Sequence, residues 1–511
     1  MAKKSTTETC CLTLPLVLEK WQNDRLEKRF EIARQIYNTL MRFELNKLHR
    51  LEQSAEYSTI QNEIQRFYSE GKNKDAALKP LYQQREKLRK TAGFSEYDFK
   101  TDIKRFYKHF NDNIGSSVAV HGIASQVWTS FDRLFYGNGK AVHFKRRGEI
   151  RSLRGYSVAG KSGGVEIMFR GSFIEWKELK LPIKLDASNT YETEMLKKRV
   201  KYCRIVKKPG KAKTHWYVQL MLEGKPALKY DISTGELRHP IGSGAVGIDI
   251  GPQTIAYAAE TEAGLLELAD QVKNIEREKR LIQRKIDRSR RATNPGNFAE
   301  DGTIKRGVKL HWEKSKRYLR LQSELAGLQR QQAEVRKRQH TELANHLLSL
   351  GDRFYVEDME WPSLTHRAIK TEISEKTGRY KRKKRFGKSV SNKAPAMLIG
   401  ILNQKLLSCG QGGVCKVSTS VRASQFNHLT GEYLKKPLSQ RWNEMPDGKR
   451  IQRDLYSAFL LQHMNEKQDG FDLNALNLDY QGFVKLHDSV ICQLKNAPKT
   501  ISSMGIMRTA S

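Results

Sequence analysis

The excess of positive charge limits what this chain can become more than any other feature. Lys and Arg number 92 against 56 for Asp and Glu, a formal net charge of +36 over 511 residues. A compact state must hold these charges together against their own repulsion unless a polyanion neutralises them. The basic residues run through folded-looking sequence and are not gathered in a tail. That spread argues for a long phosphate-lined path, with a solvated basic surface or anionic membrane binding as the bland alternatives. At this length about three domains are expected, at roughly 100 to 200 residues each.

The six cysteines, Cys10, Cys11, Cys203, Cys409, Cys415 and Cys492, include no CxxC pair. A disulfide framework or a zinc knuckle is therefore not expected. The opening MAKKSTTETCCLTLPLVLEK has lysines before an apolar run, but Thr13 and Pro15 interrupt that run and no small-residue cleavage site follows. It reads as a first strand, not a signal peptide. No apolar stretch approaches the ~20 residues that span a bilayer. A soluble, cytoplasmic protein without a membrane partner is expected.

From Trp21 to about Phe135 the periodicity is helical, with Leu26, Phe30, Ala33, Tyr37 and Leu40 on one face. In DFKTDIKRFYKHF the aromatics Phe106, Tyr107 and Phe110 alternate with basic side chains, a mixture suited to base stacking, although core packing suits each aromatic singly. Between Asn138 and about Gly242 the period falls to two and glycines punctuate short segments: SVAGKSGGVEIMFRG, LKLPIKL and THWYVQLMLEG. These predict antiparallel strands forming a small basic β-barrel, with Trp216, Val218, Leu220 and Leu222 facing inward. From about Leu265 to Leu350 a charged helical hairpin is expected, broken at ATNPGNFAEDGTIKRG. The run KRKKRFGK leads into a further helix, and the segment after about Asp469 carries no usable signal.

Three carboxylates carry the chemistry. In GAVGIDIGPQTIAYAAE a β-branched run delivers Asp249 within a buried strand, and Gly251 ends that strand in a tight turn. A buried Asp is costly unless a cation or several donors satisfy its charge. Sugar kinases and actin-like ATPases open with a similar strand, so this motif speaks for fold before activity. In GDRFYVEDMEWPSL, Glu357 closes a short strand with Phe354 and Val356 on its other side; Asp358 and Glu360 compete for the role but lie on the opposite face or beyond the strand. In KRIQRDLYSAFLLQHM, Asp454 opens a helix whose Leu455, Ala458, Phe459 and Leu461 look buried; its plain reading is an acid favouring the helix dipole. Together the three form an all-oxygen ligand set for hard cations, Mg2+ or Mn2+. Two such ions about 4 Å apart, with Asp249 bridging, promote in-line phosphodiester hydrolysis.

These motifs resemble the TnpB nucleases of insertion sequences and the type V CRISPR effectors. GIDIG with Asp249, VEDM with Glu357 and QRDLYSAFL with Asp454 match that family's three RuvC motifs in order, and QIYNTLMRF, APAMLIGILNQK and VSTSVRASQFNHLTG are also similar to it. The resemblance spans essentially the whole chain. It implies a wedge β-barrel split by a helical recognition lobe, then a ribonuclease H-like RuvC nuclease, with a guide RNA and target double-stranded DNA as partners. On that plan residues 1–20 are the first wedge strand, 21–137 the helical lobe, 138–242 the wedge barrel and 243–469 the nuclease. Within the nuclease, 265–350 is the helical hairpin and 409–453 a degenerate zinc-ribbon region; 470–511 is a C-terminal tail. One departure matters: ASQFNHLTGEYLKKPLSQRWNEMPDGKRIQRD holds no cysteine where the family usually has a four-cysteine ribbon, so zinc is not expected. Competing readings are an RNA-guided repressor that does not cut, a transposase on the same fold and an actin-like ATPase. The intact acids oppose the first, the basic region before Asp249 opposes the second, and the missing second glycine-rich motif opposes the third.

Overall fold

The computed structural model describes residues 7–71, 76–137, 139–156, 166–210, 214–366, 371–374, 378, 380, 386–437, 439–498 and 500–507. All of SVAGKSGG and most of KRKKRFGK fall outside them. Internal contacts divide the chain into two units, Met1–Leu228 and Lys229–Ser511. Among the described residues no helix is long and apolar enough to cross a membrane.

The first unit opens on β1 (Thr9–Pro15) and continues through helices α1 (Lys20–Glu52), α2 (Ala55–Ser69), α3 (Leu78–Thr91), α4 (Glu96–Asp102), α5 (Lys104–Tyr107) and α6 (Ser125–Tyr136). A capping box starts α1, where the Glu19 amide donates to Gln22 Oε1 at 2.8 Å. The predicted face is the buried one, for Leu26, Phe30, Ala33, Tyr37 and Leu40 all enter the core. Phe106, Tyr107 and Phe110 pack against that core, half-buried. Then follow β2 (Ser152–Tyr156), β3 (Ile167–Phe169), β4 (Phe173–Trp176), β5 (Leu179–Pro182), α7 (Thr190–Leu196), β6 (Val200–Pro209) and β7 (Thr214–Glu223).

Strands β1, β7, β6 and β2 form one antiparallel sheet in that order, and β3, β4 and β5 a second. Trp216, Val218, Leu220 and Leu222 of β7 point inward as their alternation predicts. The expected closed barrel is not found among the described residues. Among the described residues the backbone pairing between the two sheets is an isolated bridge from Leu16 to Ile183. Two short ladders that share one apolar core satisfy their inner faces by packing sheet on sheet, without a continuous ring of hydrogen bonds.

The second unit holds a five-stranded sheet in the order β10-β9-β8-β11-β12, built from β8 (Ala245–Ile250), β9 (Thr254–Ala258), β10 (Ala263–Glu267), β11 (Arg353–Glu357) and β12 (Cys415–Val417). Strands β8, β9 and β10 are antiparallel neighbours, whereas β11 runs parallel to both β8 and β12. Between β10 and β11 stand α8 (Glu276–Thr293) and α9 (Lys316–Leu350); between β11 and β12 stand α10 (Trp361–Thr365), α11 (Gly387–Lys393) and α12 (Pro395–Ser408). The helical expectation thus began too early. Ala263, Gly264 and Leu265 are buried and pair with β9, because the chain reverses at Glu260–Glu262 and gives this edge a ladder partner.

Helices cover both faces of that sheet. On one, Val246, Ile248, Ile250, Phe354 and Val356 meet Ala344, Leu347 and Leu348 of α9 and Leu398, Leu402 and Leu406 of α12. On the other, Ala256, Ala258 and Leu265 meet α13 (Arg453–Gln462) and α14 (Leu473–Asn496). Two small hairpins lead into α13: β13 (Phe426–Asn427) with β14 (Glu432–Tyr433), and β15 (Trp442–Glu444) with β16 (Arg450–Gln452). Helix α14 falls where no usable signal was expected, although Leu476, Tyr480, Phe483, His487 and Ile491 recur at helical spacing and are its buried residues.

One buried charge stands out in the first unit. Glu44 of α1 is fully buried with Lys47 Nζ 2.6 Å from its Oε2; the same ammonium reaches Asp102 at 3.0 Å and lies 5.0 Å from the Phe94 ring centroid. Burial outweighs Lys47 and pushes the Glu44 carboxyl up to about 7. Folding therefore favours the protonated form. Its contribution is complete at acid pH, below the carboxyl's ordinary range, and is lost as pH rises through about 7. Glu44→Gln, neutral at every pH, should exceed the native chain in stability at pH 8 by roughly 3 kcal/mol, the rise from 4.5 to about 7 taken at about 1.4 kcal/mol per pKa unit. At pH 5 the gap should narrow to about 1 kcal/mol or less. Urea unfolding at both pH values decides this, and an equal difference at pH 5 and pH 8 would remove Glu44 as the titrating group.

Candidate active site

Strand β8 carries its apolar residues, Val246, Ile248 and Ile250, on the face packed by α9 and α12. Strand alternation then turns Gly247 and Asp249 toward the face covered by α13. Gly247 is there for want of a side chain. A Cβ at this position would stand 2.0 Å from the Ala458 carbonyl oxygen and 2.3 Å from the Gln462 amide nitrogen, so α13 lies directly on the strand. With Ala458 and Gln462 over Gly247, the first turns of α13 reach Asp249, where Ser457 hydrogen-bonds its carboxylate. Beyond Asp249 the strand stops at a tight turn, closed by the Gly251 amide donating to Thr254 O at 2.9 Å.

Glu357 arrives from the neighbouring strand. The parallel register pairs Tyr355 with Gly247 and Val356 with Ile248. Continued by one residue, it sets Glu357 beside Asp249. Tyr355, on the same side of β11, packs into the α13 core. Asp358 is exposed and ion-paired to Lys416 at 2.8 Å, and Glu360 is exposed at the start of α10. Neither faces Asp249 as Glu357 does.

Asp454 comes from the first turn of α13, held by a network that sequence reasoning missed. Gln452 is the N-cap: its Oε1 accepts from the Asp454 amide at 2.8 Å and the Leu455 amide at 2.9 Å, while its Nε2 donates to Asp454 Oδ2 at 3.4 Å. The Gln452 amide donates to His487 Nε2 at 2.9 Å, which leaves the imidazole proton on Nδ1, facing Asp488 at 2.8 Å. Burial holds His487 below its ordinary pKa, in keeping with a neutral ring. Two guanidiniums flank the acid, Arg453 at 3.3 Å and Arg441 at 3.6 Å. A polar Gln before an Asp was a visible capping signal in QRD; His487 and Arg441 left none, since only the fold brings them near.

The Asp249 carboxyl feels the other two. Burial pushes the Asp249 carboxyl well above the usual carboxylate range, the charges of Asp454 and Glu357 push it further, and the Ser457 hydrogen bond and Arg453 pull the other way. Burial also raises Glu357. Among the described residues no three of His, Cys, Asp and Glu stand close enough to form a ready metal cage. The donor set nonetheless fits a hard divalent cation, because it offers only carboxylate oxygens and their mutual repulsion is what such a cation relieves. Of the cysteines, Cys409 is exposed and Cys415 Sγ lies 2.8 Å from Gln468 Oε1. In the cysteine-free hairpin region Phe426 and Met445 are buried in the α13 core, and buried His428 sets Nδ1 2.7 Å from the Tyr456 hydroxyl.

No protein-family model matches this chain, and no curated protein does. Among solved structures it is similar to a chain of a Cas12f1–sgRNA–target DNA complex determined by cryo-EM, with 11% identity over 90% of this chain and 99% of that one, at a TM-score of 0.40. It is also similar to a chain of a CRISPR-Cas12f ternary complex, with 13% identity over 88% of this chain and 82% of that one, at a TM-score of 0.25.

The contact at Gly247 gives a direct test. Gly247→Ala should destabilise the protein by about 1–3 kcal/mol, the usual cost of overpacking, because backbone on both sides resists the new methyl group. Gly400→Ala, in the exposed middle of α12 with open space around it, should instead be neutral or stabilising by up to about 1 kcal/mol. Chemical denaturation of both variants is the measurement, and an unchanged midpoint for Gly247→Ala would show that α13 does not rest on β8.

Proposed function

We propose that this chain is an RNA-guided DNA endonuclease of the RuvC type. Asp249, Glu357 and Asp454 hold the metal ions, and a bound guide RNA selects a target beside a short duplex motif. The observation that carries this reading is that Glu357 and Asp454, both far from Asp249 in sequence, bring their charges to bear on the Asp249 carboxyl at the end of its strand. The strand order of that sheet suits the ribonuclease H-like architecture that the motifs imply. The formal charge of +36 supplies the reason for a nucleic-acid partner.

When bound, magnesium or manganese supplies Lewis acidity toward the phosphodiester. The chain's own residues do the positioning. Ser457 orients the Asp249 carboxylate, and Gln452, locked by His487, fixes Asp454 at the start of α13. The apolar layers on both faces of the sheet keep these carboxylates on rigid elements, which holds the ligand oxygens in place for in-line attack. Arg453 and Arg441 flank Asp454 and orient its carboxylate before any cation arrives.

Asp249→Ala should abolish DNA cleavage, leave RNA binding and guided target binding nearly intact, and reproduce the effect of EDTA on the native protein. Cleavage surviving in that variant would sink the assignment. Bound RNA should also raise the melting temperature, since it favours the native state by mass action and neutralises its repulsion. That gain should shrink as salt rises. Identical melting with and without cognate RNA at low salt would show that the positive charge serves another purpose.

A further inference from the structure

Beside the turn that follows Asp249 lies a concave cavity of about 640 Å3 in the second unit. Helix α8 forms one wall. Arg277, Arg280 and Arg284 stand at i, i+3 and i+7 and so share the face that lines it. The opposite wall is α11, with Lys388 and Asn392, and Gln253 of the β8–β9 turn completes it. None of Arg277, Arg280, Arg284 and Lys388 has a carboxylate partner among the described residues. Further along the same helix Arg290 and Arg291 are paired with Asp287 at 2.9 and 2.8 Å. The acid at the cavity, Glu276, is engaged by Lys279 at 3.4 Å.

A concave site with four unpaired cations has an anion as its natural occupant. Gln253 and Asn392 add amide donors of the kind that hold phosphate and sugar oxygens. Leu281, exposed on the same wall, offers an apolar surface to a sugar or base. Helical walls on two sides make a narrow cleft of the kind that suits a single strand. Gln253 is four residues beyond Asp249, so their backbones are at most ~14 Å apart along the chain. We infer that this cavity holds the sugar-phosphate backbone of the single DNA strand presented to Asp249, Glu357 and Asp454, a few nucleotides from the bond to be cut.

The inference rests on the nuclease reading for its direction, but its test does not require cleavage. Binding of a fluorescein-labelled (dT)8 to the full chain is followed by anisotropy in EDTA at several salt concentrations. Arg280→Gln/Arg284→Gln should weaken it about tenfold and lower the salt slope by about 1.4, the share of two phosphate contacts on a single strand. Arg317→Gln/Arg320→Gln on α9, which removes the same charge outside the cavity, should change it less than about twofold. The bound oligonucleotide should protect Lys388 from acylation. Equal weakening by the two pairs, or no protection of Lys388, would overturn the site, and tighter binding of (rU)8 than (dT)8 would overturn its assignment to the DNA strand. A chain that binds in this way yet never cuts DNA would refute the nuclease reading and leave the anion site standing.

Discussion

The second unit is organised around Asp249, a half-buried carboxylate held away from water beneath α13. A carboxylate within a strand, covered by a helix and faced by two further carboxylates, is unfavourable in both desolvation and Coulomb terms. The fold accepts this cost because large apolar layers fix every element involved. Val246, Ile248 and Ile250 anchor one side of β8, and the missing side chain of Gly247 lets α13 settle on the other. If α13 stood higher, Ser457 and Asp454 would lose Asp249, and the site would dissolve into three unrelated acids.

The same helix explains why so much of the support lies late in the chain. Its N-terminus is capped by Gln452, whose backbone is tied to His487 of α14, while Leu476, Tyr480 and Phe483 of α14 join the core beneath α13. The stacked rings of Phe459 and Phe483, with centroids 4.3 Å apart, join the two helices directly. The segment between β12 and α13 has no cysteine, and the side chains filling that space are Phe426, Met445, His428 and Tyr456. Burial lowers the His428 pKa to about 4, so this packing holds a neutral ring at physiological pH.

Not every positive charge is kept for a polyanion. In the first unit Arg29 is buried, donates to the Trp176 carbonyl at 2.6 Å and lies 4.8 Å from that ring's centroid; Arg89 sits 4.2 Å from the centroid of Phe135. Such cations serve packing, since a guanidinium over an aromatic face recovers part of its lost hydration. The lysines and arginines left over are the exposed ones. The arginines of α8 that face the cavity have no carboxylate partner among the described residues.

Local pattern by itself determined a good deal: the amphipathic face of α1, the alternation of β7, the apolar strands bearing Asp249 and Glu357, and the helix that Asp454 opens. Each of these is a short-range periodicity, readable because burial repeats with the backbone's own period. Tertiary structure alone decided that β10 is a strand, that the first unit's two sheets do not close among the described residues, and that α14 belongs to the core. It also decided that Gln452, His487 and Arg441 support Asp454. These depend on partners far away in sequence. A ladder, a packing face or a hydrogen bond acquires its second member only when the chain is folded, and one sequence has no local trace of who that member will be.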